Sequence, residues 1–281
     1  MNTVVVPTEP GAPHDPAALP PEWSAWAEEP GKTVRIEDGG AVLGVLHAVM
    51  VGRTEAWFEG LWVQPGARGR GVGRRLIAEA EALVRGHGAM VVRTAVPARE
   101  YAALAVAERT GFARHSQAVV LTAEIPGGPP EVPYEARVLP ATSRETAAIT
   151  DALAASAPLE AWRGLVPLGW RFRRLVPEMV RGLIKDDRVL RAGDREDRGP
   201  VLGAAIFGVW DADLVISVLA GPPPHEQALF GEALGRGQEA GARRVVVFAP
   251  DASVADRLRV ALTPHAWCPD GLVIVEKALV S

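Results

Sequence analysis

Ten residues, Gly66 to Arg75, hold four glycines and four arginines, and no acid stands anywhere between Gly60 and Ile77. Such a stretch is too flexible to pack and too charged to bury. Placed between a strand and a helix, it would aim several backbone N–H groups in one direction. Those donors and the positive end of the helix dipole suit a phosphate anion. Glycine lets a ligand approach the backbone closely, and guanidinium forks match phosphate oxygens. Just upstream, Glu59 stands among Trp57, Phe58 and Trp62. A carboxylate in aromatic surroundings is expected to have a perturbed pKa, and so is a candidate general base. Glu55 and His47 are weaker candidates for that role. Two phosphate-binding patterns fail: Gly66 to Gly71 is followed by Val72-Gly73 and not by Lys-Ser/Thr, and a dinucleotide fingerprint would need glycine where Arg74 stands.

The elements that must position these groups can be read from periodicity. "AVLGVLHAVMVG" and "AWFEGLWV" form a hairpin that leads into the arginine-glycine turn. In the helix that follows, Val72, Leu76, Ile77, Ala80, Leu83 and Val84 fall on one side. "MVVRTAV" is a strand, "AREYAALAVAERTGF" a helix stopping at Gly111, and "QAVVLTAEI" a closing strand. The same order recurs after the proline-rich run Ile125 to Pro133. There "VLGAAIFGVWDADLVISVLAG" echoes the hairpin and "GLVIVEKAL" closes. One unit is used twice, and the second carries "GPPPHEQALF" where the first carries its arginines. The expected division is 1–127 and 128–281. A leading stretch in the second copy, 142–187, reads as helical and as a candidate wall for the first copy's acceptor site. Its Trp162, Trp170 and Phe172 suit either that wall or a core.

The 281 residues are 48% hydrophobic and 23% charged, with net charge −4, which excludes a globally basic nucleic-acid binder. A lone cysteine, Cys268, excludes a disulfide framework or a cysteine metal cluster, and no metal site is expected. No signal peptide or membrane-spanning run is visible, so a cytoplasmic protein without membrane partners is expected.

Arg68 to Gly73 reads Arg-x-x-Gly-x-Gly, preceded by "LWVQP" and followed by a helix, a strand and a helix ending Thr-Gly-Phe. This resembles the acetyl-CoA loop of the GCN5-related N-acetyltransferase (GNAT) superfamily over roughly residues 33 to 125. Over 135 to 281 the likeness rests on element order alone. The resemblance implies an α/β (α+β) chain of two tandem GNAT-like domains. Each would be a mixed, mostly antiparallel sheet flanked by helices, the second with a degenerate loop. It implies acetyl-CoA as co-substrate, with Leu61, Trp62 and Val63 pairing to the pantetheine arm. Arg68, Gly69, Arg70, Gly71, Val72, Gly73 and Arg74 would hold the pyrophosphate. A backbone N–H near Leu61 or Trp62 would bear the developing oxyanion, and Glu59 would take the proton of a primary amine, in a small molecule or a peptide. The tyrosine that relatives carry four residues before Gly-Phe is Ala107 here, so an acyl-CoA-binding protein without catalysis is the alternative. A homodimer is left open.

Overall fold

The computed structural model describes the backbone of residues 2–7 and, in full, 31–125, 136–193, 199–210 and 212–279. The chain divides into two compact units, Met1–His115 with Val273–Ser281, and Ser116–Leu272.

In the first unit the strands are β1 (Asn2–Pro7), β2 (Lys32–Asp38), β3 (Ala41–Met50), β4 (Glu55–Val63) and β5 (Val91–Pro97). Helix α1 (Val72–Gly86) joins β4 to β5, and α2 (Tyr101–Arg109) follows β5. β1 to β4 form an antiparallel meander, and β5 runs parallel to β4, as a helical crossover requires. The expected stripe of α1 is buried: Val72, Leu76, Ile77, Ala80 and Val84 share a core with Leu46, Phe58, Val92 and Phe112. Helix and sheet approach so closely that a Cβ on Gly44 would stand 2.7 Å from the Trp62 carbonyl oxygen and 2.9 Å from Leu76 Cδ1.

The second unit opens with β6 (Ala113–Glu124), β7 (Arg137–Pro140), α3 (Thr146–Ala154), α4 (Ala157–Ala161) and the hairpin β8 (Leu165–Leu168) and β9 (Arg171–Arg174). It continues with α5 (Pro177–Lys185), β10 (Val189–Gly193), β11 (Gly203–Trp210), β12 (Asp213–Ala220) and α6 (Pro223–Glu239). β13 (Arg244–Ala249), α7 (Val254–Leu258) and β14 (Thr263–Pro264) complete it, and β15 (Leu272–Ala278) returns to the first unit. Its sheet runs β6-β13-β12-β11-β10-β7, with β14 beside β6. The stretch 171–174, expected as helix, is a strand, because Phe172 turns into the core and alternates with Arg171 and Arg173. The proline-rich run lies outside the described residues from 126 onward.

The packing division therefore differs from the one at 127/128. The closing strand of each repeat serves the other repeat's sheet: β6 pairs with β13, and β15 lies beside β5. Val273, Val275 and Leu279 fill the first unit's core. Glu276 binds Arg93 at 2.6 Å, and Lys277 Nζ reaches Glu81 at 2.6 Å and the Thr110 carbonyl at 2.7 Å. Among the described residues no helix is long and apolar enough to cross a membrane.

Candidate functional site

Two features of β4 shape the site. Its parallel ladder to β5 covers only Glu55, Ala56 and Trp57. From Phe58 to Val63 the side of β4 facing away from β3 has no ladder partner among the described residues, which leaves a row of main-chain donors and acceptors for an extended ligand. Opposite β3, the register jumps from His47↔Glu59 to Val45↔Trp62, so Gly60 and Leu61 face Leu46 alone. This is a β-bulge, and Gly60 at φ +62° supplies the left-handed backbone it needs. Beyond the bulge Leu61 is exposed, while Trp62 and Val63 are half-buried.

The chain then makes a single 3-10 turn over Pro65–Ala67, and Arg68 Nε folds back to the Val63 carbonyl at 3.1 Å. Gly69 (φ +75°) and Gly71 (φ +82°) reverse the backbone, and Gly71 caps α1 without a side chain. The first helical bond runs from the Arg75 N–H to the Gly71 carbonyl at 3.1 Å. Among the described residues, the N–H groups of Gly69, Arg70, Gly71, Val72, Gly73 and Arg74 make no hydrogen bond. The first turn of α1 holds no acid, and among the described residues no acid pairs with Arg68, Arg70 or Arg74. Nothing stands within 4 Å of where a Cβ on Gly69 would be. The site thus gathers donors, positive charge and free space at one helix end, which fits a pyrophosphate.

Glu59 is buried on the face opposite Phe58, with its Oε1 3.8 Å from His47 Nε2. Burial pushes the Glu59 carboxyl up from 4.5 to about 8, with the neighbouring Trp57 indole acting against that rise. Burial likewise pulls His47 down from 6.5 to about 4. Both groups are therefore neutral near pH 7. Glu55 is engaged elsewhere, at 3.1 Å from Arg93. Ala107 is buried in the core beside Leu104 and Phe112, and Tyr101 is 76% exposed, so neither α2 position supplies a hydroxyl to β4.

The second unit's loop is built differently. α6 begins Pro223-Pro224, so its first positions have no N–H to offer. Its first turn instead carries Glu226, buried and held by Arg257 at 2.9 Å. At the register break between β11 and β12 the skipped residue is Ser217, which carries no carboxylate. Trp162 and Phe172 are fully buried in that unit, their rings 6.0 Å apart and edge-on, while Trp170 packs on Phe248, His265 and Trp267. Among the described residues no group of three His, Cys, Asp or Glu is placed to hold a metal ion.

Residues 5–112 match the family model described as Acetyltransferase (GNAT) family. Comparison with curated proteins finds no match. Of solved structures, a GCN5-related N-acetyltransferase from Sphaerobacter thermophilus superposes with a TM-score of 0.60 at 19% identity, over 89% of this chain and 81% of that one. A tandem GNAT protein from the clavulanic acid biosynthesis pathway gives 0.58 at 17% identity, over 100% and 99% of the two chains. A GCN5-related glucosamine N-acetyltransferase region of a fungal multidomain β-N-acetylglucosaminidase gives 0.60 at 13%, over 88% of this chain and 33% of that one. At these identities the likeness speaks for the fold. Residues 5–112 thus match the GNAT acetyltransferase family, and along its length the chain has the fold of a tandem GNAT protein.

Proposed function

We propose that the first unit transfers an acetyl group from acetyl-CoA to a primary amine of a small molecule or peptide, and that the second unit binds no coenzyme. The observation that carries this reading is the run of unbonded amides from Gly69 to Arg74, set at an acid-free helix end beside the open edge of β4. Those amides, with Arg68, Arg70 and Arg74, hold the pyrophosphate, and the main chain of Leu61, Trp62 and Val63 aligns the pantetheine arm. Acetyl-CoA supplies the activated acetyl group. An N–H of Leu61 or Trp62 donates to the thioester oxygen, where negative charge develops.

The attacking nitrogen must be neutral. Glu59 takes its proton onto a carboxylate that burial has made a far stronger base than usual, with a pKa close to working pH. With Ala107 in place of the tyrosine, coenzyme A leaves as a thiolate. A thiol pKa of about 8.5 makes that tolerable without an acid. Holding amine and thioester in one orientation supplies much of the rate.

The test is release of free thiol from acetyl-CoA in the presence of a panel of small amines and peptides. Amine-dependent release that is lost in Glu59→Gln supports the reading. Coenzyme binding with no release for any amine would leave the binding function and remove the transferase.

A further inference from the structure

The face of the first unit's sheet that carries Glu59 also carries an arginine without a counter-ion. The register sets Thr33 opposite His47, and His47 opposite Glu59. Two residues along β2, Arg35 stands opposite Val45, which in turn stands opposite Trp62. Directly paired residues share a face of a sheet, and so do residues two apart on one strand. Arg35 therefore projects from the face of Glu59, in the row of Trp62. The alternate residues Val34, Ile36 and Leu46 enter the core shared with α1 instead.

Its lack of partners sets Arg35 apart. The residue is half-buried, yet among the described residues it makes neither a hydrogen bond nor an ion pair through its side chain. Arg93, Arg191, Arg236, Arg244 and Arg257, likewise shielded from water, each hold a carboxylate. Glu37, the next acid along β2, lies beyond a register break at Ile36/Glu37 and does not pair with Arg35. The Nε of Arg35 is buried, which seats that edge of the guanidinium against the protein. Its two terminal nitrogens are neither bonded nor buried, and these are what a ligand can reach.

Two strand spacings, about 10 Å, separate the backbones of Arg35 and Trp62. A long arginine stem covers much of that distance. A group held by the terminal nitrogens would then lie only a few bonds from an amine poised over Trp62. Glu59 and His47 are neutral near pH 7, so Arg35 is the lone net charge of these two rows. A cation with two open donors on one edge matches a carboxylate. Given the transfer reaction proposed for this unit, we propose that Arg35 selects the acceptor. The amine carries a carboxylate a few bonds away, as an α-amino acid or a short ω-amino acid does. Arg35 holds that carboxylate while Glu59 faces the amine.

Calorimetric titration of the full chain, saturated with coenzyme A, tests this. The ligands are the proteinogenic L-amino acids, β-alanine and 4-aminobutyrate, each compared with its carboxamide. At least one acid should bind with Kd below about 1 mM and at least about tenfold more tightly than its carboxamide. Arg35→Met should erase that preference while coenzyme A still binds. Arg35→Lys, a charge without the fork, should keep only part of it. Thiol release from acetyl-CoA with the same ligands separates the two readings: selective binding without release removes the transferase and leaves the carboxylate site. The proposal is overturned if no acid binds, if carboxamides bind as tightly as acids, or if Arg35→Met keeps the preference.

Discussion

Glu59 and His47 face one another across β4 and β3 as a paired register, with 3.8 Å between carboxylate oxygen and imidazole nitrogen and neither side chain open to water. Their titrations are displaced in opposite senses by the same burial, Glu59 to about 8 and His47 to about 4. For catalysis the consequence is a base that is mostly protonated at pH 7. kcat/KM is expected to rise with pH and level off above about 8, with Glu59→Gln lowering kcat by about 10²–10⁴ and removing that limb. A pH–rate profile on both proteins checks this; a wild-type profile flat from pH 6 to 9 would count against Glu59 as the base.

The same pair leaves a mark on stability. Between pH 4.5 and 8 the folded chain holds a proton on Glu59 that the unfolded chain has lost, so this carboxyl's contribution falls as pH rises. Between 4 and 6.5 the unfolded chain protonates His47 and the folded chain does not, so that contribution rises with pH. The two oppose one another up to pH 6.5, and above it Glu59 acts alone. Wild-type stability should therefore fall by about 2 kcal/mol from pH 6.5 to 8 relative to Glu59→Gln. Urea denaturation across that window measures the difference.

Coenzyme binding should show one site per chain. Gly71→Glu places a carboxylate at the end of α1 and a side chain on a φ of +82°, so it should weaken acetyl-CoA binding by at least about 100-fold, near 3 kcal/mol. The α6 loop has three prolines, Pro222 to Pro224, and a buried Glu226 where donors would be needed, so a second site is not expected. Calorimetry reads both numbers, and a stoichiometry of two would show that the second loop binds after all.

The arginine-glycine loop and the elements around it were legible because each has a strong local cause. Glycine spacing marks the turn, and Val72, Leu76, Ile77, Ala80 and Val84 keep helical period and pack as a stripe. The exchange of closing strands was not legible. β6 and β15 are both apolar runs with β-branched residues, and local pattern does not say which sheet an edge strand joins. What decides it is long-range: Arg93 meets Glu276 across 183 positions of sequence. The pairing of His47 with Glu59 likewise needed the β3–β4 register, which the bulge at Gly60 shifts. The "RFRR" hairpin strand is only four residues long, too short a run for its alternation to stand out from a helical pattern.

The exchange sets a limit on dissection of the chain. A protein ending before Val273 lacks β15, and with it Val273, Val275 and Leu279 from the first core. It also leaves Arg93, only 2% exposed, without Glu276 and with Glu55 alone. Removing one partner of a buried ion pair costs about 3–5 kcal/mol, and each lost aliphatic side chain adds roughly 1.5–3 kcal/mol. That sum exceeds half of a typical domain's stability. Residues 1–127 alone should therefore be unfolded or aggregated, although they contain the whole candidate site. A fusion of 31–115 to 271–281 through a flexible linker should fold and bind acetyl-CoA. Circular dichroism and calorimetry on the two proteins decide it: a folded, binding-competent 1–127 would mean that the first unit closes its sheet without β15.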